Sequence, residues 1–249
     1  FIIAGLITAA FGVVVGSPSL RIKGFYLAVA TLAAQFFSEW VFATFPWFVG
    51  GAASMVIDTP KMSLFGYPIE SSLDNYFLVL GFVIVTTLLA KNLVRSAIGR
   101  AWMAVRDMDV AAEVIGIRPL YTKLSAFAVS SFFAGIAGAL YAFCYVKSVD
   151  FTAFDLFVSL KVLFMIIIGG MGSILGCFLG AAFIVILPIL LNVAAHNLTG
   201  GQVSAELITN IEHMTFGGLI VYFLIVEPHG LARMWATAKE KLRLWPFPH

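Results

Sequence analysis

The sequence predicts an all-α integral membrane protein, a polytopic helical bundle of about seven membrane segments with one large basic loop on its inner face. Three observations carry that prediction. Of 249 residues, 61% are hydrophobic and 11% charged, against roughly 45–50% and about 25% in a soluble domain; so few charges do not coat a water-facing globule. The chain holds 24 Phe and 22 Gly, and Gly is more frequent in membrane helices than in soluble ones. Apolar runs approaching the ~20 residues that span a bilayer recur along its length. A soluble enzyme, a disordered tail and a disulfide scaffold are excluded as main readings.

Taken in order, the first segment covers 1–16. It opens on Phe1 inside an apolar run, with no Met or basic flank ahead of it. That is not a signal-peptide pattern, and at least one further N-terminal segment is expected before it. The second segment covers 24–44. Residues 46–73 are too polar and turn-rich to span, with Gly50-Gly51, Asp58-Thr59-Pro60 and Gly66-Tyr67-Pro68. Further segments follow at 74–90 and 123–145, then a short one at 157–170, which is either re-entrant or a thin crossing. The last two cover 174–193 and 208–226. Cys144 and Cys177 both lie in apolar runs without a CxxC partner and read as packed thiols; no metal site and no cofactor is expected.

Charge placement sets the orientation. The stretches 18–23, 91–123 and the tail after 226 hold twelve of the 15 Lys and Arg. Positive loops stay in the cytoplasm, and seven crossings put all three on that side. Residues 46–73, 146–156 and 194–207 then face outward. In the tail, Leu231, Met234, Trp235, Ala238, Leu242 and Trp245 fall on one helical stripe, with Arg233, Lys239, Lys241 and Arg243 largely off it. Such a helix lies in the headgroup plane. Two parts result: 1–227, membrane-embedded with its inner loop at 95–119, and 228–249, an amphipathic cytoplasmic tail.

The inner loop holds the most information. Ser96 caps a helix running to about Arg106. Asp109 is placed to cap a second, very short helix over 110–115, Gly116 suits the left-handed position that ends it, and Pro119 blocks its continuation. Two short helices lying across the inner mouth, the second a capped lever, are expected.

Here the residues become specific. Gly99-Arg100-Ala101 through Arg106-Asp107, then Ala111-Ala112-Glu113 and Gly116, resemble the loop by which membrane subunits of ABC importers present a coupling helix to an ATP-hydrolysing subunit. The wider chain resembles the LivM-type permeases of branched-chain amino-acid importers. The matching stretches are 21–32, Gly50-Gly51, 63–66, 134–141, 169–176, 227–231 and 244–248. The chain departs from the pattern at its front and at Asp107-Met108-Asp109. The resemblance implies a permease domain without a catalytic site of its own, set in the bacterial inner membrane. It implies a coupling loop of Arg100, Arg106, Asp107, Asp109, Ala111, Ala112, Glu113 and Gly116. It also implies a second, related permease chain forming a heterodimer, two ATP-binding subunits, an extracytoplasmic solute-binding protein, and branched-chain or related amino acids as solutes, with urea or short amides as the alternative. No residue identifies the substrate-binding positions.

The glycines at 169–176 do not make a nucleotide site. A dinucleotide fingerprint needs Gly or Ala where Leu175 stands, and the Gly-Lys-Ser/Thr of a P-loop is absent. Gly169 and Gly170 read instead as a tight turn. Gly172, Gly176 and Gly180 then recur every four residues as a close-packing face, with Ser131, Gly135 and Ala139 as a second. Ionisable residues within segments are few: Glu39, Lys161, Glu212 and His213. A transport role is the default suspicion for such groups, but the first two sit where a boundary or snorkelling role serves as well. Pro188 marks a kink or ordinary packing. No nucleophile elbow, HExxH motif or paired carboxylates occur, and no basic stacking face suits nucleic acid. A secondary transporter would need midplane ion sites, which these positions do not supply. The capped lever counts against a passive scaffold.

Overall fold

Helices occupy all seven apolar stretches. In chain order they are α1 (Ile2–Ser19), α2 (Phe25–Thr44), α3 (Ser72–Arg95), α4 (Ala97–Asp107), α5 (Asp109–Val114), α6 (Pro119–Leu140), α7 (Leu156–Gly169), α8 (Ile174–Thr199), α9 (Ala205–Val226) and α10 (Gly230–Leu244). The structure is a computed structural model that describes residues 1–20, 25–45, 57–60, 62–64, 67–69, 71–149, 151–199, 205–226 and 230–244. Among these, three helical stretches are long and apolar enough to cross a membrane: Ser72–Arg95, Pro119–Val146 and Ile174–Val193. The 14 residues of α7 reach about 21 Å at 1.5 Å per residue, short of a hydrocarbon core of about 30 Å. Inside apolar helices, hydroxyls bond back to their own backbone. Thr8 donates to Ala4 O at 2.7 Å, Thr86 to Phe82 O at 2.7 Å and Thr215 to Ile211 O at 2.7 Å. Each leaves no loose donor for lipid to face.

The chain divides into two compact units, Phe1–Phe154 and Asp155–His249. In the first, α1 and α6 run antiparallel in direct contact. A side chain at Gly12 would overlap Ser131, and one at Gly135 would overlap Thr8 and meet Ala4 O at 3.0 Å. Two members of the small-residue face read on α6, Ser131 and Gly135, therefore do receive a neighbouring backbone. The last turns of α1 lie against the first turns of α6, with Gly16 facing Phe127 and Leu124. At the other end, α6 passes into one π-helical stretch, Tyr141–Val146, which Lys147 closes at φ 61°. There β1 (Ile57–Asp58) pairs antiparallel with a strand at Ser148–Val149. Thr59 donates to Lys147 O from both its N–H (2.9 Å) and its hydroxyl (2.7 Å). A second two-residue pairing joins Ser63–Leu64 with Tyr67–Pro68. The end of α1 thus meets the start of α6, and the far end of α6 meets Ile57–Asp58 through Ser148–Val149.

In the second unit, α7 and α8 form a tight hairpin across which Gly169, Gly176 and Gly180 bring backbone onto backbone. Ile168, Ile184 and Phe223 make its core, ringed by Phe164, Met165, Phe183 and Leu231. Asp155 starts α7 by accepting from Leu156 N–H at 2.6 Å. Pro188 is carried inside α8 without ending it, and Asn192 Nδ2 donates to its carbonyl at 3.0 Å. Hydrophobic transfer from water does not hold such helices together within lipid; close van der Waals contact does. Gly12→Val is therefore expected to part α1 from α6 and lower the unfolding midpoint in detergent, at about 1–3 kcal/mol of overpacking. Gly81→Val on α3, where nothing lies within 4 Å, is the control that stays near wild type.

Candidate functional site

α3 runs past its apolar stretch through Lys91 to Arg95, and Ser96 turns the chain with ψ 172°. As expected, Ser96 caps α4. Its Oγ accepts from Gly99 N–H at 3.3 Å and donates to Leu93 O at 2.7 Å, and Gly99 is packed so closely on the Leu93 and Val94 carbonyls that no side chain fits. Met108, extended at φ −151°, separates α4 from α5. The predicted cap on α5 is corrected here: Met108 holds the cap position without a side-chain bond, and Asp109 lies inside the first turn. Its carboxylate stands 3.7 Å from Lys123 Nζ on α6, and there it also complements the positive end of the α5 dipole.

The other end of α5 is closed as the sequence predicts. Gly116 has φ 88°. Gly116 N–H donates to Glu113 O at 3.0 Å and Ile117 N–H to Ala112 O at 3.0 Å. This paired pattern is a Schellman motif, and the left-handed residue within it is where glycine is favoured. Pro119 then opens α6 at its first turn, where its missing N–H costs no bond.

One side of this loop faces the protein and the other faces out. Val105 and Ala112 are buried, Ala112 at 2% exposure. Trp102 Nε1–H donates to Ser125 Oγ on α6 at 2.9 Å. Outward, Met108, Val110, Val114 and Ile115 are exposed, Val114 at 83%. Among the residues singled out in the sequence, Arg100, Arg106, Asp107, Ala111, Glu113 and Gly116 are exposed, Asp109 is half-buried and Ala112 faces inward. Ala112 thus anchors the loop and takes no part in its outer surface. Arg100 Nη1 donates to Arg95 O at 2.9 Å, and Arg106 pairs with Asp107 at 2.8 Å, so both arginines are engaged locally. What remains on α5 is an apolar ridge beside the Glu113 carboxylate.

The glycine turn has a second partner. Gly170 and Gly172 take φ 109° and 90°. Gly172 is therefore a turn residue that precedes α8, which corrects its place on the helix face; Gly176 and Gly180 carry that face alone. Ser173 Oγ accepts from Gly176 N–H at 3.1 Å and caps the helix. Against this turn sits Gly230, with φ 66°. A Cβ there would stand 2.5 Å from Gly170 N and 2.7 Å from Ile168 O. The tail helix thus starts clasped to the α7–α8 turn. Leu231 packs on the core, while Met234 and Trp235 stay exposed. Trp245 lies outside the described residues.

Of the ionisable suspects, Glu39 accepts from Gln35 Nε2 at 3.2 Å on its own helix. Lys161 and His213 are exposed, and the Glu212 side chain lies outside the described residues. Sequence reasoning missed the Trp102–Ser125 bond and the Gly230 clasp. The first joins residues 23 apart with no local pattern. The second had one signal, a Gly at the start of an amphipathic run.

Residues 1–225 match the family described as branched-chain amino acid transport system / permease component. The chain is 31% identical to the high-affinity branched-chain amino acid transport system permease protein LivM of Escherichia coli strain K12, over 93% of this chain and 56% of the relative. It is 30% identical to LivM of Salmonella typhimurium strain LT2, with the same coverage. The chain thus spans about half the length of the curated relatives it matches. No solved structure matches it.

Proposed function

The chain belongs to the permease-component family of branched-chain amino acid transport systems, and from that membership we propose that α5 is the element through which separate ATPase subunits drive it. In this reading the chain is the membrane-spanning subunit of an ATP-binding-cassette importer in the bacterial inner membrane. The solute path for branched-chain or related amino acids runs between it and a second, related permease chain. Two ATP-binding subunits dock on the cytoplasmic side, and an outer binding protein delivers the solute. Seven crossings put the basic loops inward.

The observation that carries the reading is the outward face of α5. Val110, Val114 and Ile115 are exposed on a short helix whose opposite side is held by buried Ala112 and whose end is locked by the Gly116 turn. An apolar ridge on a water-facing loop calls for a cover, and a locked helix transmits force where a loose linker would absorb it. ATP binding shifts the permease only if the two ATPase states contact α5 differently. The membership supports a transport subunit, with hydrolysis left to partners.

The tail supports the same arrangement. Met234 and Trp235 stand exposed on α10 beside Arg233, Lys239 and Lys241, the composition of a helix lying in anionic headgroups. In this reading 1–227 is the permease domain and 228–249 a cytoplasmic tail whose first residues are clasped to it.

Co-purification tests the reading. In detergent, the chain is expected to bring down a nucleotide-binding subunit whose ATPase rate rises with a branched-chain amino acid and its binding protein. Uptake by the chain alone, driven by an ion gradient, overturns it. A screen of amino acids against urea and short amides then fixes the solute class.

A further inference from the structure

We propose that Trp102 is a positioning residue that fastens the loop to α6, so that a push on α5 reaches the α6–α1 pair instead of being absorbed within the loop. The inference rests on the reading of α5 as the ATPase-facing element.

The tie is a directed hydrogen-bond chain. The Trp102 indole N–H donates to Ser125 Oγ at 2.9 Å, and that hydroxyl donates onward to Thr122 O at 2.8 Å. With its own proton committed to Thr122, Ser125 presents a lone pair to the indole. Both residues are half-buried, where an indole N–H stripped of its acceptor loses more than a bond to water would return. One further contact braces the same joint: Asp109 on α5 stands 3.7 Å from Lys123 on α6. Each short helix therefore has its own hold on α6.

The junction with α3 is of another kind. It is a backbone break at Ser96, whose hydroxyl bonds only to Leu93 and Gly99 within three residues on either side. That junction, with Gly99 packed on the Leu93 and Val94 carbonyls, makes α4 follow the end of α3, whereas the Trp102 bond, spanning 23 residues, ties the loop to a separate helix. Beyond α6 the path continues into α1, because Gly12 lies directly on Ser131 and Gly135 directly on Thr8 and Ala4. Contact that close leaves no slack for one helix to move without the other.

The test uses the complete transporter, with its partner subunits, reconstituted in lipid vesicles, and reads ATP hydrolysed per solute moved. Trp102→Phe keeps an aromatic ring and removes the donor. The complex is expected to assemble and hydrolyse ATP while the ratio rises about threefold to tenfold, the range spanned by one hydrogen bond of ordinary net strength. Ser125→Ala should do the same, the double variant no more than either alone, and Ser125→Thr, which keeps the hydroxyl, should return the ratio to near wild type. A merely structural role lowers assembly and transport together and leaves the ratio unmoved. An unchanged ratio in both Trp102→Phe and Ser125→Ala overturns the tie. The reading beneath it fails by a different sign: if Val114→Asp alters neither assembly nor ATPase stimulation, α5 does not meet the ATPase, and the proposal falls with it.

Discussion

Replacing Gly180 by leucine is expected to prise α7 from α8 and to remove most folded protein from the membrane. The site has no room because its neighbour is backbone. Any Cβ on Gly180 overlaps the Met165 carbonyl and comes within 2.9 Å of Gly169 N. A clashing side chain can change rotamer, but a helix carbonyl moves only if α7 moves. That displacement uncovers Ile168 and Ile184, the two most deeply buried large side chains described, and loosens the turn on which Gly230 rests. The cost is expected at or above the upper end of the ~1–3 kcal/mol typical of overpacking. Gly217→Leu on α9 is the control, since nothing lies within 4 Å of it and leucine is the better helix former by roughly 0.5–1 kcal/mol. Folded yield by size-exclusion after detergent extraction checks both. A Gly180→Leu protein that elutes and melts like the parent would mean that the hairpin is not held by this contact.

Hydropathy and caps made much of the fold readable in advance. A helix stands at each apolar stretch because length and apolarity are local properties, and the ends of α4 and α5 followed from Ser96 and Gly116 for the same reason. The misses lie at element boundaries and in tertiary contacts. Asp109 has the residue type of a cap, but Met108 holds the cap position, and the Asp109 carboxylate stands 3.7 Å from Lys123 Nζ. Gly172 fits the four-residue spacing of Gly176 and Gly180, yet its positive φ puts it in the turn; spacing alone does not say where a helix begins. The α3 helix reaches Arg95, beyond the predicted 90, because lysine and arginine continue a helix without loss of propensity once it leaves an apolar layer. At the candidate site, residue types gave the loop but not its inside and outside. Ala111 and Ala112 are alike in sequence, and only packing reveals that Ala112 is buried while Ala111 is exposed.

That difference between inside and outside yields the sharpest functional prediction. Val114→Asp is expected to leave the protein folded and inserted but to cut ATP-dependent uptake by roughly thirtyfold or more, the effect of losing about 2 kcal/mol at an interface anchor. Val114 is 83% exposed in the isolated chain, so its side chain packs on nothing in the loop, and a loss of uptake by a folded, inserted variant points to a surface that covers it. Glu113→Lys tests the same surface through charge, with the like expectation. Gly116→Pro attacks the lever itself. Proline cannot take φ 88°, and it lacks the N–H that donates to Glu113 O; the last turn of α5 should unwind and carry Val114 out of place. Uptake into membrane vesicles and ATPase stimulation by solute, measured side by side, check all three. Val114→Asp and Glu113→Lys should weaken docking of the ATPase through the surface itself, and Gly116→Pro should weaken it by carrying that surface out of place. Normal uptake by all three variants would overturn the proposed role of α5.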